Sequence, residues 1–185
     1  MKESEALQTR AAHGDVVAFE ALMRDTKAGL YRFVRRYVGD ADETYDLVQE
    51  AYAAAWLAIR RYEPERSFEA WLRTIAINKC RDWSRRRNIR RLFRGSTDLS
   101  SAEALAVPDD GADAEGKYDA AEQAQRLHAA IAALPPKLKE PLLLTAIEER
   151  SHAEAAEILG LSTKAVEMRL ARARQKLALH LRPEA

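Results

Sequence analysis

Two clusters of basic residues provide groups that could bind the phosphates of a nucleic acid. Residues 79–94 hold eight lysines and arginines against a single acidic residue, Asp82. These eight are Lys79, Arg81, Arg85, Arg86, Arg87, Arg90, Arg91 and Arg94. Residues 161–182 hold six basic residues and one acid, Glu167. Guanidinium and ammonium groups bind phosphate oxygens and release counterions, so binding of this kind weakens as salt concentration rises.

The net charge of the chain hides this division. Its 185 residues include 30 Lys+Arg and 29 Asp+Glu, a formal net charge of +1. Residues 60–94 have twelve positive and four negative side chains, net +8, and residues 161–182 have a net charge of +5. Between them, residues 95–125 have one positive and eight negative side chains, net −7. The distribution of charge therefore indicates anionic partners for two separate segments.

Residues suited to catalysis or to metal binding are sparse. Cys80 is the only cysteine, and His152 has no second histidine or cysteine at ligand spacing. The sequence shows no nucleophile–base set and no glycine-rich phosphate loop, so we expect neither an enzyme nor a protein with a metal or cofactor. It also lacks an apolar run long enough to span a membrane and the apolar core of a signal peptide, which predicts a cytoplasmic protein with no membrane insertion.

The elements that must position the basic clusters are predicted to be helices. Alanine, leucine, arginine and glutamate dominate, and only seven glycines occur. Apolar residues recur at helical spacing over 15–38 and 42–60, and again from the N-cap candidate Ser67 onward. The acidic segment has few large apolar residues and is predicted to be a flexible linker. We therefore expect an all-α fold of two small helical domains, 1–94 and 121–185, joined by a linker over 95–120.

The second domain has the pattern of a helix-turn-helix. A helix over 121–134 is expected to bury Leu127, Ile131 and Leu134, and two prolines follow it. Next, S-x-x-E at Ser151–Glu154 is a capping box that opens a short helix, and Gly160 is placed to end it. Ser162 then caps a longer helix that buries Val166, Leu170, Ala173 and Leu177. Its exposed face is basic, which favours DNA binding in the major groove.

Four motifs in order give the chain a specific resemblance. They are GD-x-x-AF-x-x-L from Gly14, DLVQEAY-x-x-AW from Asp46, F-x-x-WL-x-x-IA-x-N from Phe68, and ALPPKLKEPLLL from Ala133 followed by the helix-turn-helix. Together they span nearly the whole chain, and the sequence resembles an extracytoplasmic-function (ECF) sigma factor of bacterial RNA polymerase. The resemblance implies a subunit that binds core RNA polymerase, recognises promoter DNA and promotes its melting to initiate transcription.

The resemblance also implies roles for individual residues. Asp46, Gln49 and Glu50 would face the clamp helices of the polymerase. The minus-ten promoter element would be bound by Tyr62, Glu63, Glu65, Arg66, Ser67, Phe68, Asn78, Lys79, Arg81, Arg85 and Arg86. The minus-thirty-five element would be bound by Ser162, Thr163, Lys164, Glu167, Met168, Arg169 and Arg172, while the same domain sits on the polymerase flap. An anti-sigma factor is a further partner expected from the family.

Two alternatives remain open from the sequence. One is a free-standing helix-turn-helix regulator, which would leave the DLVQEAY helix and the loop from Tyr62 to Ser67 without a role. The other is a sigma mimic that sequesters an anti-sigma factor, although such a mimic would not need the basic residues 79–94. On the recognition helix, Glu167 can accept a hydrogen bond from a cytosine amino group but repels phosphate, so the promoter sequence is not readable from these residues.

Overall fold

The computed structural model describes residues 2–94 and 114–181, and within these ranges all regular structure is helical. Eight α-helices follow one another in the described ranges. They are α1 (Lys2–Ala12), α2 (Val16–Val38), α3 (Ala41–Ala58), α4 (Phe68–Arg94), α5 (Ala114–Ala133), α6 (Pro136–Leu142), α7 (His152–Leu159) and α8 (Thr163–His180). We call α1–α4 the N-terminal unit and α5–α8 the C-terminal unit. The predicted all-α fold of two helical units is confirmed.

Local capping sets the boundaries of the helices in the N-terminal unit. The side chain of Asp15 accepts from the Ala18 backbone N–H at 3.1 Å, and that of Asp40 accepts from Glu43 at 2.9 Å. Gly39 ends α2 with a φ of 86°, a left-handed conformation that glycine adopts without steric cost. Because these signals lie in a few adjacent residues, the sequence predicted α2 and α3 to within two residues.

A short connection separates α3 from the long basic helix α4. One 3₁₀ turn, Ile59–Arg61, closes α3, and the chain then runs through residues 62–67 without regular structure. Ser67 precedes α4, and its hydroxyl oxygen accepts from the Ala70 N–H at 3.4 Å. The predicted start of this helix is therefore confirmed.

The start of the C-terminal unit departs from the prediction in two ways. Helix α5 begins at Ala114, so residues 114–120 are helical although they were expected to belong to the linker; the remaining predicted linker residues, 95–113, lie outside the described residues. Leu127, expected to be buried, is 41% exposed, whereas Ile131 and Leu134 are buried as predicted. The buried side of α5 includes Ala130 and not Leu127, so it is rotated relative to the side predicted from Leu127, Ile131 and Leu134.

The segment after α6 forms a turn that the apolar pattern did not indicate. Leu143–Ile147 is π-helical, and the Glu148 N–H donates to the Leu143 carbonyl, five residues earlier. Pro141 lies inside α6 and has no N–H to donate, while its carbonyl accepts from the Thr145 hydroxyl at 2.8 Å. This turn directs residues 148–150 toward the N-terminal unit.

The helix-turn-helix has the predicted form. Both halves of the capping box are present, since Ser151 accepts from the Glu154 N–H and the Glu154 carboxylate accepts from the Ser151 N–H. Gly160 ends α7 at a φ of 65°, and Ser162 caps α8 by accepting from Ala165 at 3.2 Å. Val166, Leu170 and Ala173 are buried and Leu177 is partly buried, as their spacing indicated.

The two units pack against each other. Their buried apolar side chains form one continuous cluster, and α4 and α2 of the N-terminal unit contact α5, α6, α7 and the π-helical turn. None of the helices in the described ranges is both long and apolar enough to cross a membrane.

Candidate nucleic-acid interface

One face of α3 presents acidic and polar side chains to solvent. Asp46, Gln49 and Glu50 are all exposed, because the opposite side of the helix is buried in the core. Glu50 Oε2 lies 3.3 Å from Lys79 Nζ, which joins this face to the basic helix α4. Further along the same face, Leu57 is 87% exposed. Sequence reasoning missed Leu57, although its spacing of seven residues from Glu50 was a signal that could have found it.

The loop before α4 is anchored by an aromatic cluster. Tyr62 is 4% and Phe68 is 2% exposed, and their ring centroids lie 5.6 Å apart in an edge-on arrangement. Trp71 packs on both rings, at centroid distances of 5.0 and 5.7 Å. The Tyr62 hydroxyl lies 2.6 Å from Gln8 Oε1 and 2.5 Å from the Arg66 carbonyl oxygen, and burial raises the Tyr62 pKa to about 12.

The resemblance placed the Tyr62 and Phe68 rings among the residues that bind the minus-ten element, and in the structure both rings lie inside the core. Tyr62 and Phe68 have no exposed ring face in this arrangement, because they fill the space between α1, α2 and α4. Glu63, Glu65, Arg66 and Ser67 are exposed on the loop between them. The rings therefore hold the loop in shape, and the exposed residues are the ones available to a ligand.

The basic face of α4 brings the remaining candidates together. Asn78, Arg85 and Arg86 are exposed, and Asn78 Oδ1 accepts from Arg81 Nη1 at 3.2 Å. Asp82, the single acid in this segment, pairs with Arg85. Near the middle of α4, Trp83 donates from Nε1 to Glu43 Oε2 of α3 at 2.8 Å. Thus α4 is held against α3 by this bond and carries guanidinium groups on its exposed side.

The recognition helix α8 presents a second mixed polar and basic surface. Ser162, Thr163, Lys164, Glu167, Met168 and Arg172 are exposed and Arg169 is half-buried. Their placement follows from the buried residues of α8, which pack on α6 and α7 and turn the opposite face outward. His152 Nδ1 lies 3.8 Å from Glu167 Oε1, so the one acid on this face has a partner within the helix-turn-helix.

Two predicted DNA-binding arginines are paired with carboxylates of the C-terminal unit. Arg81 makes a two-pronged contact with Glu140, with Nε–Oε1 and Nη2–Oε2 distances of 2.7 and 2.6 Å. Arg66 Nη2 lies 2.7 Å from Glu157 Oε1. In both cases the hydrogen bond to the carboxylate raises the arginine pKa. Sequence reasoning missed these pairs, whose members lie 59 and 91 residues apart.

Comparison with known proteins places both units in one family. The model of Sigma-70 region 2 matches residues 22–90, and that of Sigma-70 region 4 matches residues 124–177. The RNA polymerase sigma factor CnrH of Cupriavidus metallidurans is 36% identical over 173 residues, covering 93% of this chain and 91% of that protein. The RNA polymerase sigma factor NccH of Alcaligenes xylosoxydans xylosoxydans is also 36% identical, over 94% of this chain and 91% of its own.

Solved structures agree with this assignment. CnrH in complex with the cytosolic domain of CnrY superposes with a TM-score of 0.68 at 31% identity, covering 96% of each chain. RpoE from Bartonella quintana, solved with the anti-sigma factor NepR, shares the fold with a TM-score of 0.72 at 22% identity, over 92% of this chain and 100% of its own. The chain therefore belongs to the extracytoplasmic-function group of RNA polymerase sigma factors, proteins that bind core RNA polymerase and promoter DNA to initiate transcription.

Proposed function

We propose that this sigma factor binds the polymerase and the two promoter elements through three separate surfaces. These are the acidic face of α3 and the basic, exposed faces of α4 and α8. The domain boundaries that we propose are 1–94 for the polymerase-binding and minus-ten domain and 121–185 for the minus-thirty-five domain. The connector between them would start after α4 and end within α5. The function is one of binding and not of catalysis, and it is exercised in the cytoplasm.

The polymerase contact is assigned to α3. Asp46, Gln49 and Glu50 would bind the clamp helices, and exposed Leu57 would extend this contact by burying apolar surface at its edge. An acidic helix face that also exposes a large apolar side chain suits a basic partner surface, since charge guides association and apolar burial adds affinity. The C-terminal unit would bind the polymerase flap.

The minus-ten contact is assigned to the loop before α4 and to α4 itself. Glu63, Glu65, Arg66, Ser67 and Asn78 would surround an unstacked base, with Tyr62 and Phe68 supporting the loop from the core. Extruding a base costs a few kcal/mol, so a preformed pocket is needed to offset that cost. Lys79, Arg81, Arg85 and Arg86 would bind the phosphates on either side.

The minus-thirty-five contact is assigned to α8. Ser162, Thr163 and Lys164 lie at its N-terminus, and Glu167, Met168, Arg169 and Arg172 follow on the same face. This geometry suits entry of the N-terminal turns of α8 into the major groove, with Ser162 and Thr163 near phosphates.

An anti-sigma factor is the proposed regulatory partner. The related protein CnrH has been solved in complex with the cytosolic domain of CnrY. At 31% identity over 96% of both chains, that likeness supports a protein partner that holds this sigma factor away from the polymerase.

Run-off transcription tests the proposed function. Purified core polymerase with this chain and a library of genomic promoters should yield specific transcripts that neither component yields alone. Absence of transcripts at every promoter would contradict the proposal. A free-standing regulator would instead bind an operator tightly without polymerase, and a sigma mimic would bind an anti-sigma factor but not core polymerase.

Asn78→Ala tests the minus-ten assignment. The variant should bind core polymerase as the wild type does but open promoters poorly, because Asn78 is exposed on α4 beside Arg81 and is not one of the α3 residues assigned to the polymerase. Open complexes are measured by permanganate reactivity of unpaired thymines, and core binding by gel filtration. Equal loss of both activities would remove Asn78 from the proposed base pocket.

A further inference from the structure

The recognition helix α8 carries a single acidic side chain on a surface that is otherwise basic and polar. Glu167 is exposed in the second turn of α8, and Lys164 and Arg172 are exposed on the same helix. A carboxylate only accepts hydrogen bonds, so it cannot bind a phosphate oxygen, which is also an acceptor, and its charge repels the DNA backbone. If α8 enters the major groove, the groups that Glu167 can bind there are therefore on the base edges.

A histidine from the other helix of the helix-turn-helix lies beside this carboxylate. His152 begins α7, and its Nδ1 lies 3.8 Å from Glu167 Oε1. Within the described ranges, Glu167 has no other ion pair and no hydrogen bond. The two side chains are 43% and 49% exposed, so a ligand can reach the carboxylate while the imidazole stays next to it.

The backbone of the helix-turn-helix determines where these two side chains lie. The capping box between Ser151 and Glu154 fixes the first turn of α7, and with it the start of the His152 side chain. At the turn between the helices, the Leu161 N–H donates to the Ala156 carbonyl at 2.9 Å. The pairing of imidazole and carboxylate is therefore a consequence of how α8 packs across α7.

The imidazole has two effects on the neighbouring carboxylate. When protonated, it carries a positive charge that offsets the repulsion between Glu167 and the phosphates. Pairing with the imidazolium also limits the positions of a long side chain, so less conformational entropy is lost when the carboxylate binds a base. His152 thus makes a glutamate compatible with a DNA-binding surface.

The hydrogen-bond pattern of the major groove determines which base a carboxylate can bind. Only cytosine, at N4, and adenine, at N6, present donors there, whereas guanine and thymine present acceptors. Adenine also presents its N7 acceptor next to N6, and this acceptor repels the second oxygen of a carboxylate. Cytosine has no acceptor beside its amino group. An acidic side chain in the groove therefore selects cytosine.

We propose that Glu167 is a specificity-determining residue of the minus-thirty-five contact, accepting a hydrogen bond from the N4 amino group of a cytosine, and that His152 is the positioning residue that holds its carboxylate. This inference rests on the proposed function, because it requires that α8 enter the major groove of the minus-thirty-five element. Lys164 and Arg172 then bind phosphates, and Glu167 selects the base.

Transcription by the complete holoenzyme on matched promoters tests the base assignment. The templates derive from one promoter that the wild type transcribes, with each base pair of its minus-thirty-five element changed in turn to the other three. At limiting holoenzyme, the wild type should prefer cytosine at one position by about 10-fold, and Glu167→Ala should lose this preference. Promoters without the cytosine should be transcribed by the variant at least as well, because a charge that repels phosphates has been removed.

Two further variants complete this experiment. Glu167→Gln should shift the preference at the same position toward adenine, because an amide can pair with both N6 and N7. Glu122→Ala is the matched control, since it removes an exposed glutamate of α5 that is paired with Arg126, and it should leave the cytosine preference unchanged. An identical base profile for the wild type and Glu167→Ala would overturn the assignment, as would an equal loss of transcription on every template.

Substitutions at His152 test the positioning role. His152→Ala should reduce the cytosine preference by about 3-fold, the size expected for an exposed ion pair, and leave the preferences at other positions unchanged. His152→Lys retains a positive charge and should keep more of the preference. The control His180→Ala changes an exposed histidine at the end of α8 and should have no effect. Full cytosine preference in His152→Ala, or an equal drop at all positions, would rule out the role.

The two proposals fail in different ways. If the wild-type holoenzyme transcribes promoters but the Glu167 variants keep its base profile, the cytosine inference is wrong and the proposed function stands. If no promoter is transcribed with core polymerase, the proposed function is wrong and the inference falls with it.

Discussion

Replacing Glu148 by leucine should lower the free energy of unfolding by about 3 kcal/mol, because it leaves a buried guanidinium without its main partner. Arg73 is 2% exposed and packs its guanidinium 5.0 Å from the centre of the Phe33 ring. Its shortest contact is with Glu148, at 2.6 Å, and Glu69 lies at 3.2 Å but is half exposed. Glu69 retains part of the attraction, which keeps the loss near the lower end of the range for broken buried pairs.

Removing both charges together should restore most of this loss. Burial lowers the pKa of Arg73 and raises that of Glu148, so for each group desolvation outweighs the attraction of its partners. In Arg73→Met/Glu148→Leu the remaining pair, Arg150 and Glu69 at 2.9 Å, is neutral overall. The double variant should therefore lie within about 1 kcal/mol of the wild type.

Urea unfolding followed by circular dichroism measures all members of this cycle. Arg73→Met alone should lose about 2 kcal/mol, less than Glu148→Leu, because Glu148 keeps Arg150 at 3.6 Å while the guanidinium has been removed. The cycle then gives a coupling of about 4 kcal/mol between the two positions. Additive losses, with the double variant about 5 kcal/mol below the wild type, would refute the claim that desolvation dominates this pair.

Further predictions concern the buried thiol of Cys80 and the helix cap at Ser151. Burial raises the pKa of the Cys80 thiol to about 12. At pH 8 the thiolate population should therefore be about 1,000-fold lower in the folded chain than in urea, and the rate of alkylation by iodoacetamide should fall by the same factor. Equal rates in the two states would contradict the burial. Ser151→Ala should cost about 1 kcal/mol of stability through loss of the α7 cap, measured against Ser100→Ala as a control in the acidic segment. Hydrogen bonds from Ser151 lower the pKa of Glu154, so the stability that they contribute is present above the ordinary glutamate pKa and is lost as pH falls through the lower folded value. Ser151→Ala should therefore also make the protein less resistant to unfolding by acid. An unchanged acid transition would contradict this.

Much of the fold could be predicted because its signals are local. Asp15, Asp40 and Ser162 cap helices through backbone groups three residues away, and Gly160 ends α7 in a conformation that suits glycine. Apolar spacing in turn specified which faces of α3 and α8 are buried, since one turn of helix spans only 3.6 residues. The exposed positions of Asp46, Gln49 and Glu50 followed directly.

Other features required the tertiary structure. The spacing of Tyr62 and Phe68 was compatible with both core packing and base contact, and only the packing of α1, α2 and α4 around them shows that they are buried. Similarly, Leu127 has helical spacing with Ile131, but the position of α5 on α2 leaves it exposed.

The sequence by itself determined that the chain is helical, that it has two basic surfaces and that its motifs are those of a sigma factor. It could not determine that Arg66, Arg73 and Arg81 meet Glu157, Glu148 and Glu140, because an arginine has the same local signature whether its partner is a distant glutamate or a phosphate. These pairings depend on how two units pack across separations of more than fifty residues. Periodicity and capping act within one or two helical turns, whereas electrostatic pairing depends on distance in space, and only the folded chain specifies that distance.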